Sequence, residues 1–141
     1  KKLFESGKNN EIEAGTFKGL SEIHSYLFDD IYYSTGKSRD FSIAVGYFRF
    51  VPVMYLKTAL EHIDTMPQSN YEEIIAKYVE MNVAHPFREG NGRCMRIWLD
   101  LILKKELGKV VDWSQIDKQA YLSAMERSPI NDLEIRFLLL L

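Results

Sequence analysis

Apolar residues recur at three- and four-residue spacing along most of this chain, a period that confines it to helices burying one face each. Leu20, Ile23, His24, Leu27 and Phe28 predict a helix over about residues 17–29. Pro52 can open a second helix at its first position, with Leu56, Leu60 and Ile63 on one face and Met66-Pro67 ending it. Asn70 or Ser69 can cap a third, in which Ile74, Ile75, Tyr78, Val79, Asn82 and Val83 point one way. The pattern resumes at Arg93 and runs through Ile97, Trp98, Leu101 and Ile102 until Gly108 stops it. Asp117 to Arg127 makes another helix, and Ser128-Pro129 has the form of a cap and first turn for a last one running to the chain end. The period fails from Tyr32 to Phe50. There Gly36 and Gly46 punctuate the chain, and Phe41, Ile43 and Val45 alternate with smaller residues, as in a loop entering a short β-hairpin. The expectation is an all-α bundle with one hairpin insertion.

Length and charge narrow the function. The 141 residues predict one domain, 1–141, large enough for one core. Eighteen Lys and Arg against twenty Asp and Glu give a formal charge of −2, which argues against a surface built to grip nucleic acid. The single cysteine, Cys94, cannot form an internal disulfide, so a reducing, cytoplasmic setting is expected. The first residues lack a signal-peptide core, and no apolar run approaches a membrane span, so no membrane partner is expected. The chain lacks an initiator Met and stops on four leucines, Leu138 to Leu141, as a piece of something longer would.

Reactive residue types crowd into one segment, His85-Pro86-Phe87-Arg88-Glu89-Gly90-Asn91-Gly92-Arg93-Cys94-Met95-Arg96. It lies between two helices, so it is a turn feeding a helix N-terminus, where unpaired N–H groups and the dipole attract an anion. Gly90 and Gly92 let the backbone bend and approach a ligand, and Asn91 tolerates a left-handed turn while bringing an amide donor. Arg93 and Arg96, three apart, share a helix face and offer two forks to phosphate oxygens. One acid, Glu89, makes sense among anion-seeking groups when a divalent cation accompanies the phosphates. His85 can accept a proton near neutral pH, which implies activating a hydroxyl for attack on phosphorus. No Gly-Lys-Ser/Thr follows, so this is no Walker loop. The residues alone leave open which phosphorus is attacked.

These twelve residues match without a gap the His-x-Phe-x-Asp/Glu-Gly-Asn-Gly-Arg-x-x-Arg signature, and on it the chain resembles the Fic-domain protein adenylyltransferases. Thr35-Gly36-Lys37-Ser38-Arg39 looks like the family's small-Gly-x-x-Arg stretch. Gly46-Tyr47-Phe48-Arg49-Phe50 falls where the family has its hairpin flap, here about residues 40–51. The run from Asn82 to Leu103 and Ala124-Met125-Glu126-Arg127-Ser128-Pro129 resemble the stand-alone bacterial subgroup. The resemblance implies a Fic-type helical bundle with a catalytic loop at 85–93, transferring AMP from ATP to a Tyr, Ser or Thr hydroxyl of a target protein. It implies His85 as general base and Glu89 as ligand of magnesium bridging the α- and β-phosphates. Gly90, Asn91 and Gly92 become the anion-hole turn, with Asn91 donating to the α-phosphate. Arg93 stabilises the leaving pyrophosphate at the β-phosphate, Arg96 holds the γ-phosphate, and Phe87 shapes the loop from the core. Gly46, Tyr47 and Phe48 of the flap would dock the target as an added strand. Val45 departs from the basic residue often found before the flap glycine.

The family's inhibitory Ser/Thr-x-x-x-Glu-Gly/Asn motif has one near match, Ser69 to Glu73, but Ile74 follows, so that segment is expected to be ordinary helix. The family's inhibitory helix would follow the last residue here. Rival readings are transfer of UMP, a phosphoryl group or phosphocholine from the same cradle, removal of AMP, and a non-enzymatic anion-binding module. Elsewhere, His24 and His62 lack ligand spacing and are expected to be surface or partly buried helix positions. Cys94 is expected to be a small buried helix residue, and Trp98, Trp113, Tyr78 and Phe137 to be core.

Overall fold

Thr16 starts the first helix: its hydroxyl accepts the Gly19 N–H at 3.2 Å, one of the donors a helix start leaves over, and α1 (Phe17–Phe28) follows. The computed structural model describes residues 12–29, 36–40, 42, 44–45 and 48–140. Strand β1 (Ala44–Val45) pairs antiparallel with β2 (Phe48–Arg49), with Ala44 opposite Arg49 and Val45 opposite Phe48. This is the expected hairpin. Its Gly46 and Tyr47, expected to dock a target, lie outside the described residues. Then come α2 (Val53–Thr65), α3 (Tyr71–Ala84), α4 (Asn91–Leu107), a 3-10 turn at Trp113–Gln115, α5 (Lys118–Arg127) and α6 (Leu133–Leu138).

The helical stripes decide the packing. α4 lies against α3 on one side and α1 on the other, α2 covers α1 and α3, and α5 and α6 pack together with α6 against α3. Leu20 and Ile23 of α1, Ile74, Ile75 and Tyr78 of α3, and Met95, Trp98 and Ile102 of α4 have no exposed surface. Each such side chain contributes roughly 1.5–3 kcal/mol by leaving water, so burial rather than helix propensity holds the bundle. Trp98 also needs a polar partner, and its indole N–H donates to the Thr16 carbonyl at 3.0 Å, joining α4 to the start of α1.

Several helix ends differ from the sequence reading. Pro52 precedes α2 instead of sitting in its first turn. The cap of α3 agrees with that reading: of the two expected residues Asn70 serves, with Oδ1 accepting the Glu73 N–H at 2.9 Å, and Glu73 Oε1 in turn accepts the Ser69 N–H at 2.8 Å. Ser69 to Glu73 is thus the capped start of α3. α4 begins at Asn91, two residues before Arg93. Ser128 closes α5 instead of opening α6, because its hydroxyl donates back to the Met125 carbonyl at 2.6 Å. Asn131 supplies the oxygen at the start of α6, accepting the Leu133 N–H at 3.0 Å. Phe137 is 80% exposed, against the expectation of core; α6 has six residues, and Ile135 takes its buried position.

Candidate active site

α3 ends where His85 turns left-handed, with φ 47° and ψ 63°, its N–H still donating to the Met81 carbonyl at 3.0 Å. It is the one non-glycine with positive φ among the described residues, a conformation that costs a β-carbon-bearing residue roughly 1–2 kcal/mol. Arg39 holds it there. The Arg39 guanidinium is buried and donates from Nε to the His85 carbonyl at 2.7 Å, and from Nη2 to the Ala84 carbonyl at 2.9 Å and the Val51 carbonyl. The Arg39 N–H adds a bond to the Pro86 carbonyl at 2.7 Å. The imidazole stacks on Phe50, 3.8 Å between centroids at 17°. Burial and the Arg39 charge lower its pKa from 6.5 to about 4. At neutral pH it is an unprotonated ring, able to accept a proton.

The loop that follows closes on itself. Asn91 is buried, and its side chain takes the Phe87 N–H on Oδ1 at 2.9 Å and gives Nδ2 to the Phe87 carbonyl at 2.8 Å. One Nδ2 hydrogen and the backbone N–H are what Asn91 has left for an anion. Phe87 is fully buried between the rings of Phe17 and His24. Gly90 caps α4 at φ 79°, and a β-carbon there would lie 2.5 Å from the Phe28 ring. Gly90→Ala is therefore expected to cost about 2–4 kcal/mol, from left-handed strain and overpacking together, measured by urea unfolding. A loss under half a kcal/mol would mean the loop is not seated as described. Gly92 plays a different part from the bending expected of it: it lies in the first turn of α4, where a β-carbon would meet Arg96 Nη1 at 3.2 Å. Its missing side chain makes room for that guanidinium.

A cavity of about 380 Å³ has His85, Asn91, Gly92, Arg96, Tyr121 and the acidic Glu126 among its polar lining residues, and Val83, Leu122 and Met125 among its apolar ones. The N–H groups of Asn91, Gly92 and Arg93 have no carbonyl one turn behind them, so the positive end of α4 belongs to this site. Arg96 is half-buried and hydrogen-bonds the Tyr121 hydroxyl, which itself shares a bond with the buried Tyr78 hydroxyl. Of the two arginines, Arg96 lines the cavity and Arg93 does not. Arg93 is exposed, its guanidinium 5.5 Å from the centre of the Phe28 ring, and neither it nor the exposed Glu89 lines the cavity. Among the described residues no three His, Cys, Asp or Glu side chains are grouped to hold a metal. The lone Glu89 carboxylate fits a magnesium that arrives on phosphates and keeps several waters, not a resident ion.

Three contributors escaped the sequence reading. Tyr121 anchors Arg96, Arg39 fastens His85, and His24, expected at a surface or partly buried helix position, is an almost fully enclosed partner of the loop. Arg39 had a signal in its Gly-x-x-Arg stretch. His24 had one in its place on the apolar stripe of α1, where a polar group must find partners. Cys94 is buried as expected, and burial pushes its thiol up to about 12, which leaves it unreactive.

A family model described as the Fic/DOC family matches residues 16–103. The chain is similar to protein adenylyltransferase VbhT of Bartonella schoenbuchensis, 30% identical over 129 residues that cover 82% of this chain and 26% of that protein. It is also similar to the probable protein adenylyltransferase y4lH of Sinorhizobium fredii, 28% identical over 93% of this chain and 75% of the relative. This chain thus spans about a quarter of the first relative and three quarters of the second. Among solved structures, the Fic domain of a Bartonella effector protein from Bartonella sp. AR 15-3 superposes with a TM-score of 0.80 at 18% identity, over 98% of this chain and 75% of that one. The BepC protein of Bartonella tribocorum, solved with bound AMPPNP, gives 0.75 at 21% identity, over 97% and 80%. Those two share the fold. Among the described residues no helix is long and apolar enough to cross a membrane.

Proposed function

The chain belongs to the Fic/DOC family, and from that membership and the geometry of the cavity we propose that it transfers AMP from ATP to a hydroxyl side chain of a target protein. The observation that carries this reading is the convergence of three unlike groups on one cavity: the neutral His85 ring, the N–H groups at the start of α4, and the Arg96 cation. Anion binding alone would use the last two. The imidazole adds a base.

In the proposed reaction His85 takes the proton of the target's Tyr, Ser or Thr hydroxyl while that oxygen bonds to the α-phosphorus. The bond from the α-phosphorus to the bridging oxygen breaks, and pyrophosphate leaves with the electron pair. The free N–H groups of Asn91 and Gly92 receive α-phosphate oxygens as charge builds on them. Arg96 takes the γ-phosphate and Arg93 the β-phosphate. Val83, Leu122 and Met125 add apolar surface to the same cavity. Magnesium, when bound with the phosphates and held by Glu89, supplies neutralising charge to the leaving group. A cytoplasmic setting belongs to the same proposal, since the one cysteine, Cys94, is a free, buried thiol.

The test uses ATP labelled at the α or the γ position, with candidate target proteins and magnesium. Label is expected to move from the α position only; movement from the γ position would replace AMP by a phosphoryl group. A pH profile tests the base separately. The base acts unprotonated, and its pKa is lowered to about 4, so kcat/KM should stay flat from pH 7 down to about 5 and fall only below that. The acidic limb of kcat should lie higher, because bound phosphate charge favours the imidazolium. A kcat/KM limb near 6.5 would show that the His85 environment is not the one described.

A further inference from the structure

His24 and Phe28 stand one turn apart on α1 and face the loop that carries Glu89, Gly90 and Arg93. Phe28 packs on Gly90 and lies under the Arg93 guanidinium. His24 is 3% exposed, and its ring stacks on Phe87 at 3.9 Å and 16°. Both of its nitrogens are committed. The Gly36 N–H can only donate, and it reaches Nδ1 at 3.0 Å, so Nδ1 carries no proton. Nε2 therefore carries the proton and donates to the Glu89 carbonyl at 2.8 Å. That carbonyl belongs to the peptide joining Glu89 to Gly90, where a glycine leaves the peptide plane free to rotate. Among the described residues no hydrogen bond or ion pair holds the Glu89 carboxylate itself. The hydrogen bond on its own carbonyl is the tether the structure gives Glu89.

We propose that His24 is a positioning residue for magnesium–nucleotide binding: by holding the Glu89 carbonyl it stops the Glu89–Gly90 peptide from rotating and aims the carboxylate at the metal that travels with the phosphates. The proposal rests on the magnesium role of Glu89 given above. It assigns the two ring nitrogens separate tasks, and two substitutions separate them. His24→Asn keeps an acceptor oxygen for the Gly36 N–H and loses the donor to Glu89. His24→Gln places an amide N–H where Nε2 donates.

The experiment measures ATP affinity of the whole chain by calorimetry, with magnesium and with EDTA, and amide exchange over residues 87–93 without ligand. His24→Asn should weaken magnesium–ATP binding roughly 10–100-fold while metal-free ATP changes by about twofold at most, and His24→Gln should recover most of the loss. Loop exchange should quicken in His24→Asn and stay near wild type in His24→Gln. Equal weakening with and without magnesium, failure of His24→Gln to rescue, or an unchanged His24→Asn protein would each overturn the proposal. A wild-type chain that binds ATP equally in magnesium and EDTA would overturn the metal role of Glu89 and this proposal with it. Ligand-free exchange then tells that failure apart from a clamp that does not hold.

Discussion

His85→Ala is expected to cut transfer of α-label roughly 10²–10⁴-fold, the span a general base contributes. The loss should fall on kcat, because the groups proposed to bind phosphate, at Asn91, Gly92 and Arg96, are untouched and ATP affinity should hold. The fold should survive. The substitution removes one stacking contact with Phe50, worth roughly 0.5–1.5 kcal/mol, and leaves the backbone bonds from Arg39 in place. His85→Gly is the sharper control. It removes the same imidazole but relieves the left-handed strain, so it should be at least as stable as the alanine variant and equally inactive. Transfer that persists in either variant would mean that another group takes the proton.

Arg39→Met carries the second large effect, on stability. The substitution keeps much of the side-chain volume and leaves the carbonyls of His85, Ala84 and Val51 without their donor in a buried place. Unsatisfied buried acceptors are costly, and a loss of about 3–5 kcal/mol is expected. For a chain of this length that lowers the midpoint of thermal unfolding by roughly 10 °C or more. Arg39→Lys should recover part of it, since one ammonium cannot reproduce the planar fork. In whatever folds, the His85 pKa should rise, because the nearby positive charge is gone, and the acidic limb of kcat/KM should move up with it. A loss below 1 kcal/mol would show that the carbonyls find other partners.

The helical faces were legible because a buried stripe repeats many times, so Leu20, Ile23, Ile74, Tyr78 and Trp98 reinforce one another. The loop from His85 to Arg96 was legible because its chemistry is local in sequence. Long-range partners were not. Arg39 meets residues 45 and 46 positions away, and His24 meets one 65 positions away, distances at which no local pattern carries information. Helix ends were weakly legible for another reason: Ser128 can bond forward as a cap or back to Met125, and the chain around it decides. Asn91 was recognised as an amide at the turn, but its side chain serves mainly the Phe87 backbone.

That small ring joins Phe87 to Asn91, four positions apart, while the bonds that place it against the hairpin's flank and α1 close much longer loops. Closing a short loop costs little entropy, so the turn can take its shape early in folding, before its surroundings exist. Binding an anion through backbone N–H groups and delivering a proton acceptor then mature at different stages. Mild denaturant should separate them: metal-free nucleotide binding should outlast transfer, as the long-range ties of Arg39 and His24 loosen before the ring opens.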